Sequence, residues 1–287
     1  MLYYKMINKF IKAIIYTYFS IQKGALRMKL TNDELKQFKD NGFLLIRNFA
    51  NTKECEVILD VAKVHLKYQV EPIETEIGYS MKSQEYRTDV SDYHSIERNQ
   101  EVTVRRLRQV YDRDIVFKNW MENKEIRPLL KQILADDVVL TLAHHNSIMT
   151  KMPYSSTETA WHQDRRYWSY DGDNLVSVWL ALGEENAENG VLEFIPKSHK
   201  MNFFKEQFGE KEYFDTAHPL NVSLIETRKS FSLNKGDVVI FHSKLLHRAN
   251  ANESKKPKIS FVYTIKGKSI NVIRNSRSAQ YSEILLD

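Results

Sequence analysis

The chain has 287 residues, a formal net charge of +5 and 42% hydrophobic residues, an apolar content that can bury a substantial core and excludes large-scale disorder. A single cysteine excludes an internal disulfide, so we expect a reducing, cytoplasmic location. Six basic residues and no acidic residue fall within residues 1–29, which leaves a net charge of about −1 on the rest of the chain. A body so close to neutral gives no indication of nucleic-acid binding.

Residues 1–27 are expected to form a basic N-terminal extension, followed by one folded domain over residues 28–287. Lysines interrupt the apolar residues of the extension before they reach the length of a membrane span, and they disfavour a secretory signal as well. Met28 directly precedes the first helix signal, so a true start at Met28 is one alternative. The other is a basic amphipathic segment that docks on the domain or on a membrane surface.

The first elements predicted by the sequence are a helix, a strand and a second helix. Thr31 and Glu34 have the spacing of a capping box, in which each side chain satisfies a free backbone N–H of the first turn. Gly42 supplies the stop signal for this helix. A short apolar strand is predicted over residues 43–49, and a helix over residues 51–68.

The remainder of the chain separates into a polar region and a strand-rich region. Residues 71–115 are polar and weakly periodic, which predicts a long excursion over the core of the kind that often serves as a lid. A helix is predicted over residues 123–134. Short apolar or alternating runs without helices between them then favour an antiparallel barrel or double sheet. These runs cover residues 138–149, 175–182, 191–195, 238–242 and 259–265.

His162 and Asp164 are candidate metal ligands. Residues two apart on a strand point to the same face, so both side chains can reach one ion. A His-x-Asp pair occurs often by chance, and the alternative is a surface pair or an aspartate that accepts a hydrogen bond in a turn. Two histidines and one carboxylate form the facial triad of non-haem Fe(II) oxygenases. Candidates for the second histidine are His199, His218, His242 and His247.

A larger set of residues, in a fixed order along the chain, reduces the number of candidates for the second histidine ligand. It comprises residues 162–164, Trp179, residues 188–192, residues 195–199, Gly236, Asp237, His247, Asn252 and Ser254. In identity and order, this set resembles the phytanoyl-CoA dioxygenase family, with coverage from about residue 28 to residue 268. The resemblance implies a mainly β protein with helical additions, built on a double-stranded β-helix (jelly-roll) core. It also implies an Fe(II)-dependent oxidoreductase that uses 2-oxoglutarate to hydroxylate a C–H bond of a small molecule.

The resemblance further implies roles for individual residues. His162, Asp164 and His247 would bind iron, and the residue that holds the far carboxylate of 2-oxoglutarate falls at Lys258, where the family normally has arginine. Trp179 and Lys151 fall at positions near the co-substrate. A lysine is a point charge, whereas arginine grips a carboxylate with two parallel hydrogen bonds. Ala249 also stands where many members carry a hydroxyl group.

Those two departures motivate one alternative, a non-catalytic metal-binding jelly-roll module that acts as a sensor or scaffold. A zinc hydrolase or isomerase with the same three ligands is a second alternative, since Zn(II) outcompetes Fe(II) at such sites. Halogenation is disfavoured, because the related halogenases leave the carboxylate position vacant and Asp164 fills it here.

The remaining polar candidates are expected to have structural roles. His199 and His242 are expected to be packed or hydrogen-bonded. His144 and His145 adjoin each other on a predicted strand, so only one of them is expected to face the cavity. A solvated charge run is the favoured interpretation of Arg105, Arg106 and Arg108, and contact with an acidic substrate is the alternative. Tyr167 and Trp168 are candidates for the substrate side. The substrate itself is expected to be a small molecule, acidic or acyl-type.

Overall fold

The computed structural model describes residues 29–81 and 103–287, so the predicted extension 1–27 and the middle of the predicted excursion lie outside the described residues. The helices are α1 (Asn32–Asn41), α2 (Thr52–Lys67), α3 (Glu76–Met81), α4 (Ile115–Met121), α5 (Arg127–Leu134) and α6 (Pro219–Glu226). The strands are β1 (Phe43–Ile46), β2 (Ile73–Thr75), β3 (Val104–Arg108), β4 (Val138–Lys151), β5 (Thr159–His162), β6 (Leu175–Ala181), β7 (Leu192–Phe194), β8 (Lys229–Ser230), β9 (Val238–His242), β10 (His247–Ala249), β11 (Lys258–Gly267) and β12 (Glu283–Leu286).

The strands form two antiparallel sheets. The larger sheet has the order β1-β9-β6-β11-β4-β3-β2, with β12 also paired to β4, and the smaller sheet has the order β5-β10-β7-β8. Most paired strands are not consecutive in the chain, as in the double-sheet arrangement of a jelly roll. The predicted fold class is therefore confirmed. None of the helices in residues 29–81 and 103–287 is long and apolar enough to cross a membrane.

The two faces of the larger sheet bury different sets of side chains, because successive residues of a strand point to opposite sides. Val178, Ile240 and Phe261 belong to a core cluster that includes the helical residues Ile58, Trp120 and Leu130. Their sequence neighbours Trp179, Phe241 and Val262 instead pack with Leu192, Phe194 and Ala249 of the smaller sheet. The helices thus cover the outer face, and the inner face looks toward the smaller sheet.

Several local predictions agree with the structure. The Thr31 side chain and the Glu34 side chain form the reciprocal capping box at the start of α1. Gly42 ends α1 with φ of 84°, a left-handed conformation that glycine adopts without a steric penalty. The second helix also begins as predicted, with the Asn51 side chain accepting a hydrogen bond from the Lys53 backbone N–H.

The prediction of an irregular excursion over residues 71–115 is wrong for the residues that the structure describes. β2 and β3 lie in this region and extend the larger sheet beyond β4. The sequence of β3 shows no alternation of apolar and polar residues, because Arg106 and Arg108 occupy positions that face the cavity. Polar side chains on that face indicate a polar interior instead of an irregular loop.

Two helix and strand boundaries also differ from the predictions. The predicted helix over residues 123–134 begins only at Arg127, because Asn123 accepts a hydrogen bond from the Glu125 N–H and forms a turn. The separate helix α4 precedes this turn, and its seven residues are too few to show a helical period. The predicted strand over residues 43–49 ends at Ile46.

Asp237 joins the entry segment to the larger sheet. Its side chain is 1% exposed and accepts hydrogen bonds from Arg47 Nη1 at 2.7 Å, Asn48 N at 2.8 Å and Asn234 N at 2.9 Å. One carboxylate therefore satisfies two backbone donors and a guanidinium that belong to distant parts of the chain. A hydrogen bond to a charged group contributes about 1.5–3 kcal/mol.

We expect Asp237→Ala to lower the free energy of unfolding by about 2–4 kcal/mol, since two backbone N–H groups lose their acceptor. Urea denaturation monitored by circular dichroism measures the change. Asp60→Ala is the matched control, because Asp60 is 76% exposed and lies 3.9 Å from Lys63. The control should change stability by less than about 0.5 kcal/mol. Equal effects of the two substitutions would contradict this role of Asp237.

Candidate metal centre and cavity

Two histidines face each other across the smaller sheet. His162 at the end of β5 is paired in register with His247 at the start of β10, and their ring centroids are 4.2 Å apart. His162 Nδ1 bonds the carbonyl oxygen of Ala160 at 2.9 Å, and His247 Nδ1 bonds that of Leu245 at 2.9 Å. A carbonyl only accepts, so each Nδ1 must carry the proton. Each Nε2 then has a lone pair available for a metal ion.

Asp164 supplies a carboxylate to the same point. Its Oδ1 lies 3.5 Å from His162 Nε2 and 3.8 Å from His247 Nε2. Ligand atoms of the three residues lie within 4.8 Å of one another, and they form the one such group found in the described parts of the chain. The structure thus brings together the three residues that the sequence selected.

The local geometry of Asp164 differs from the prediction that it shares a strand with His162. β5 ends at His162, and Asp164 begins a 3₁₀ turn over Asp164–Tyr167. The Arg165 N–H donates to the Ser243 carbonyl oxygen at 2.9 Å and fixes this turn against the end of β9. The turn, and not the alternation of the strand, therefore positions the carboxylate of Asp164.

Burial and neighbouring charges favour a metal-binding protonation state. Burial raises the pKa of Asp164, but His145 and His247 outweigh it and hold this pKa well below its ordinary value. Burial, reinforced by His162, lowers the pKa of His247 to about 3. At neutral pH the group therefore combines an ionised carboxylate with a neutral His247 imidazole. Two imidazoles and one carboxylate on one side of an ion are typical of non-haem Fe(II) sites.

His145 and Ser177 support Asp164, and sequence reasoning did not assign either of them. His145 Nε2 lies 3.3 Å from Asp164 Oδ1, and Ser177 Oγ donates to Asp164 Oδ2 at 3.1 Å. Ser177 Oγ also lies 3.3 Å from His145 Nδ1. These contacts fix both oxygens of the carboxylate. No motif in the sequence marks either residue, because their role depends on strand pairing.

The prediction that only one of His144 and His145 faces the cavity is wrong. β4 pairs with β11 in two registers, with Thr141 opposite Thr264 and Asn146 opposite Tyr263. The residues between Thr141 and Asn146 therefore form a bulge, which interrupts alternation. Both histidines line the cavity. His144 stacks on Trp168 with centroids 4.7 Å apart, and its Nε2 bonds Ser278 Oγ at 2.8 Å.

Two lysines lie at the end of the cavity beside Trp179. Lys151 of β4 and Lys258 of β11 are direct partners in the sheet, and both are buried. Lys258 Nζ donates to the Gly190 carbonyl oxygen at 2.5 Å and lies 3.4 Å from Glu185 Oε2. Lys151 Nζ donates to the Thr157 carbonyl oxygen at 2.8 Å. We call these two ammonium groups the cavity floor.

Glu185 neutralises one charge of the cavity floor, and no motif in the sequence marks it. This fully buried carboxylate accepts hydrogen bonds from Trp179 Nε1 at 3.1 Å and Ser260 Oγ at 2.7 Å, in addition to its contact with Lys258. Lys151 Nζ instead donates to the backbone carbonyl oxygens of Thr157 and Ala249. Burial, with Arg105 and Lys258, lowers the pKa of Lys151 to about 7. In the cavity floor, the charge of Lys258 is thus neutralised by Glu185. The carboxylate of an incoming ligand would raise the pKa of Lys151 and keep it protonated.

The other histidine candidates lie apart from this centre. His199 Nε2 contacts the Lys39 carbonyl oxygen at 3.1 Å, and His242 Nδ1 accepts from the Lys244 N–H at 3.0 Å. The rings of His199 and His242 are 5.3 Å apart. His218 caps α6 by accepting from the Leu220 N–H.

The favoured interpretation of the three arginines as a solvated run is wrong. Arg105 is 3% exposed and donates to Glu76 at 2.8 Å. Arg106 Nε lies 2.5 Å from a Glu74 carboxylate oxygen, and Glu74 is itself 2% exposed. Arg105, Arg106 and Arg108 all line the cavity. Three arginines among the five residues of β3 make this strand look solvent-exposed in the sequence, although all three line the cavity.

This fold and donor set define a class, the jelly-roll proteins with a two-histidine, one-carboxylate metal centre. The chain belongs to the phytanoyl-CoA dioxygenase (PhyH) family, whose model matches residues 38–260.

Curated relatives agree with this assignment, and solved structures share the fold. The phytanoyl-CoA dioxygenase domain-containing protein 1 homolog of Caenorhabditis elegans is 27% identical over 53% of this chain, which spans only 54% of that relative. The Dictyostelium discoideum homolog is 22% identical over 83% of this chain and 91% of its own length. EctD from S. alaskensis with bound Fe matches the fold with a TM-score of 0.68 and 16% identity, over 88% of this chain and 82% of that one.

We expect saturating Fe(II) under anaerobic conditions to raise the melting temperature of the protein. At about 100 times Kd, a bound ion adds about 2.7 kcal/mol of stability, which is a shift of roughly 5–10 °C. The shift should disappear in Asp164→Ala and His247→Ala, whose stabilities without metal are measured separately. Differential scanning calorimetry gives both values.

His218→Ala is the control for this experiment, because His218 was a ligand candidate in the sequence and caps α6 in the structure. It should keep the full metal-dependent shift. A shift that survives in His247→Ala or vanishes in His218→Ala would refute this centre.

Proposed function

We propose that this protein is an Fe(II)- and 2-oxoglutarate-dependent dioxygenase that hydroxylates a C–H bond of a small molecule, with residues 28–287 as its catalytic domain. The observation that carries the proposal is one cavity that contains His162, Asp164 and His247 together with the lysines of the cavity floor. Known relatives support it. The solved SnoN structure contains Fe3+ and alpha ketoglutarate, and an EctD structure contains 2-oxoglutarate and 5-hydroxyectoine.

The donor set fits Fe(II). His162 and His247 offer Nε2 lone pairs whose tautomers are fixed by backbone carbonyls, and Asp164 offers one negative charge. Three protein ligands leave positions for a co-substrate and O2. Bound iron and 2-oxoglutarate would together activate O2, which is the oxidant, and the polypeptide supplies the geometry of the site. His145 and Ser177 restrict the carboxylate of Asp164 to one orientation.

The cavity floor fits the far carboxylate of 2-oxoglutarate. Lys258 lies 5.2 Å from the Trp179 ring centroid, and its charge is already balanced by Glu185. We therefore infer that Lys151 contributes the unbalanced charge, and that Lys258 contributes a fixed N–H donor. Gly190 makes this packing possible, because a Cβ at that position would lie 2.8 Å from Lys151 Cδ and 2.3 Å from the Asn250 carbonyl oxygen. Two lysines thus take the place of a single arginine.

Other cavity residues separate the co-substrate end from the substrate end. Trp179, Leu192, Phe241 and Val262 form an apolar wall between the cavity floor and the metal centre. Tyr167 and Trp168 follow Asp164 along the chain and line the cavity beyond it. A substrate bound beside Tyr167 and Trp168 would approach the metal centre from the side opposite the cavity floor. The cavity has a volume of about 170 Å³, which suits a small molecule.

The proposal is tested by incubating anaerobically purified, Fe(II)-loaded protein with 2-oxoglutarate and then admitting O2. We expect succinate to form even without a primary substrate, and Asp164→Ala to reduce its rate by at least about 100-fold, since loss of a metal ligand removes the reaction centre. His218→Ala should retain the wild-type rate. Ion chromatography quantifies succinate.

Two outcomes would sink the proposal. Bound iron without succinate would favour a non-catalytic metal-binding module. Turnover of an ester or an isomerisable substrate with Zn(II), and no succinate with Fe(II), would favour a zinc hydrolase or isomerase.

A second prediction concerns the cavity floor. We expect Lys151→Met to raise the Kd for 2-oxoglutarate by about 10- to 100-fold, because a charge-assisted hydrogen bond contributes about 1.5–3 kcal/mol. Calorimetric titration of the anaerobic Fe(II) protein measures this Kd, and the iron content is determined in the same sample. Lys266→Met is the matched control, since Lys266 is a buried lysine at the other end of β11 that pairs with Glu283 at 3.0 Å. An unchanged Kd in Lys151→Met would show that Lys151 does not hold the co-substrate.

A further inference from the structure

Three buried basic side chains meet at the cavity floor. Lys151 and Lys258 are cross-strand partners of β4 and β11, and they are 6% and 3% exposed. Arg105 of β3 is also 3% exposed. Lys151 Nζ donates to the Thr157 carbonyl oxygen at 2.8 Å, and Arg105 Nη1 donates to the same oxygen at 3.4 Å. Two basic groups therefore converge on one backbone atom, and a third lies on the adjacent strand.

The carboxylates in this cluster are bound to the other two basic groups. Glu76 pairs with Arg105 at 2.8 Å, and Glu185 pairs with Lys258 at 3.4 Å. Within the part of the chain that the structure describes, Lys151 forms no such pair, and its Nζ donates to backbone carbonyl oxygens. Lys151 is therefore the member of the cluster without a carboxylate partner.

The more distant charged groups around Lys151 do not supply that partner. Glu158 is exposed, so water screens its charge. Arg248 of β10 lines the cavity and is paired with Glu193 at 2.8 Å. The charged groups that face Lys151 from the elements packed against it are Arg105 from β3, Glu76 from α3, Glu158 before β5, Lys258 from β11 and Arg248 from β10.

Lys151 Nζ forms as many hydrogen bonds as a neutral amine can donate. Its two acceptors are the carbonyl oxygens of Thr157 at 2.8 Å and Ala249 at 3.5 Å. A neutral amine has two N–H groups, whereas an ammonium group has three. Burial, Arg105 and Lys258 lower the pKa of Lys151 to about 7. Contacts and surrounding charges thus both favour a neutral Lys151 above this pH when no anion is bound beside it.

A carboxylate on the cavity floor would reverse this preference. An anionic oxygen close to Nζ accepts the third N–H and stabilises the ammonium form, which raises the pKa of a lysine. Lys258 does not change in this way, because Glu185 already balances its charge and the Gly190 carbonyl oxygen accepts from its Nζ at 2.5 Å. Lys151 is therefore the group of the cavity floor whose charge depends on the ligand.

We propose that Lys151 takes up one proton when the far carboxylate of 2-oxoglutarate binds to the cavity floor, so that co-substrate binding is coupled to pH. This inference rests on the proposed function, since it takes the cavity floor as the place of that carboxylate. The proton comes from the solvent and binds to the lone pair of Nζ, and no bond of 2-oxoglutarate is broken.

The direction of the pH dependence follows from the pKa of Lys151 in the free protein, which is about 7. At lower pH Lys151 is already charged, so the Kd for 2-oxoglutarate does not depend on its titration. At higher pH the lysine must first be protonated, so the Kd increases as the pH rises.

Proton uptake is measured by calorimetric titration of 2-oxoglutarate into the anaerobic Fe(II) protein at about pH 7.5. The titration is repeated in HEPES and in Tris, whose ionisation enthalpies differ, so the difference between the observed enthalpies counts the protons taken from the buffer. We expect about 0.5–1 proton per bound 2-oxoglutarate in the wild type. We also expect the Kd to rise about 5- to 30-fold from about pH 6.5 to about pH 8.5.

Three variants assign the proton to one residue. Lys151→Arg carries a guanidinium that stays protonated in this pH range, so it should bind 2-oxoglutarate without proton uptake and with a Kd that changes less than about twofold. Lys151→Met has no group to protonate and should also show no uptake, which provides the comparison if Lys151→Arg does not fold. Lys266→Met is the matched control and should keep the wild-type uptake, since Lys266 is a buried lysine of β11 that pairs with Glu283.

Failure of this inference can be separated from failure of the proposed function. A wild type that binds 2-oxoglutarate without proton uptake, and with one Kd across the pH range, overturns the inference and leaves the oxygenase proposal unaffected. Uptake that persists in Lys151→Arg or Lys151→Met would belong to another group and would overturn it as well. A wild type that binds iron but no 2-oxoglutarate contradicts the proposed function itself.

Discussion

The pairing of His162 with His247 across β5 and β10 is the constraint on which the rest of the site depends. Antiparallel register places the two residues opposite each other, and a hydrogen bond from each Nδ1 to a carbonyl two residues earlier turns each Nε2 toward the same point. The strand scaffold therefore sets both the positions and the tautomers. A shift of one residue in this register would move one imidazole to the other face of the sheet. The buried carboxylate of Asp164 would then lose an electrostatic partner.

Much of the fold and the centre could be predicted from the sequence, because their signals are local or ordered along the chain. Capping residues, glycine at a left-handed position and apolar strand runs each have a physical cause that acts over a few residues. The triad could be selected because the His-x-Asp pair and His247 occur within a longer ordered set of family residues. Asp164 is a ligand candidate in the sequence because residues two apart on a strand share one face. In the structure, Asp164 lies in a turn beyond the strand, so the strand alternation does not explain its position.

What could not be predicted depends on tertiary pairing. The β4 bulge that turns both His144 and His145 to the cavity follows from the mismatch with β11, and nothing within residues 138–151 marks it. Glu185 looks like a surface acid among Glu184 and Asn186, and only the fold places it against Lys258. The strand β3 looks like a solvent-exposed segment because arginine occupies its inward positions. Sequence patterns assume an apolar interior, so they fail where the interior is polar.

Charge is distributed in the cavity at a cost to stability. Lysines 151 and 258 are buried opposite each other, and a buried ammonium without a partner is unfavourable. Such violations of the ordinary rules are expected at functional sites, where ligand binding supplies the missing charge. We propose that one iron ion is bound by the imidazoles of His162 and His247 and the carboxylate of Asp164. Iron K-edge X-ray absorption on the Fe(II) protein measures this directly. We predict scattering from two imidazoles in the wild type and from one in His247→Ala, and an unchanged imidazole count in that variant would contradict the account.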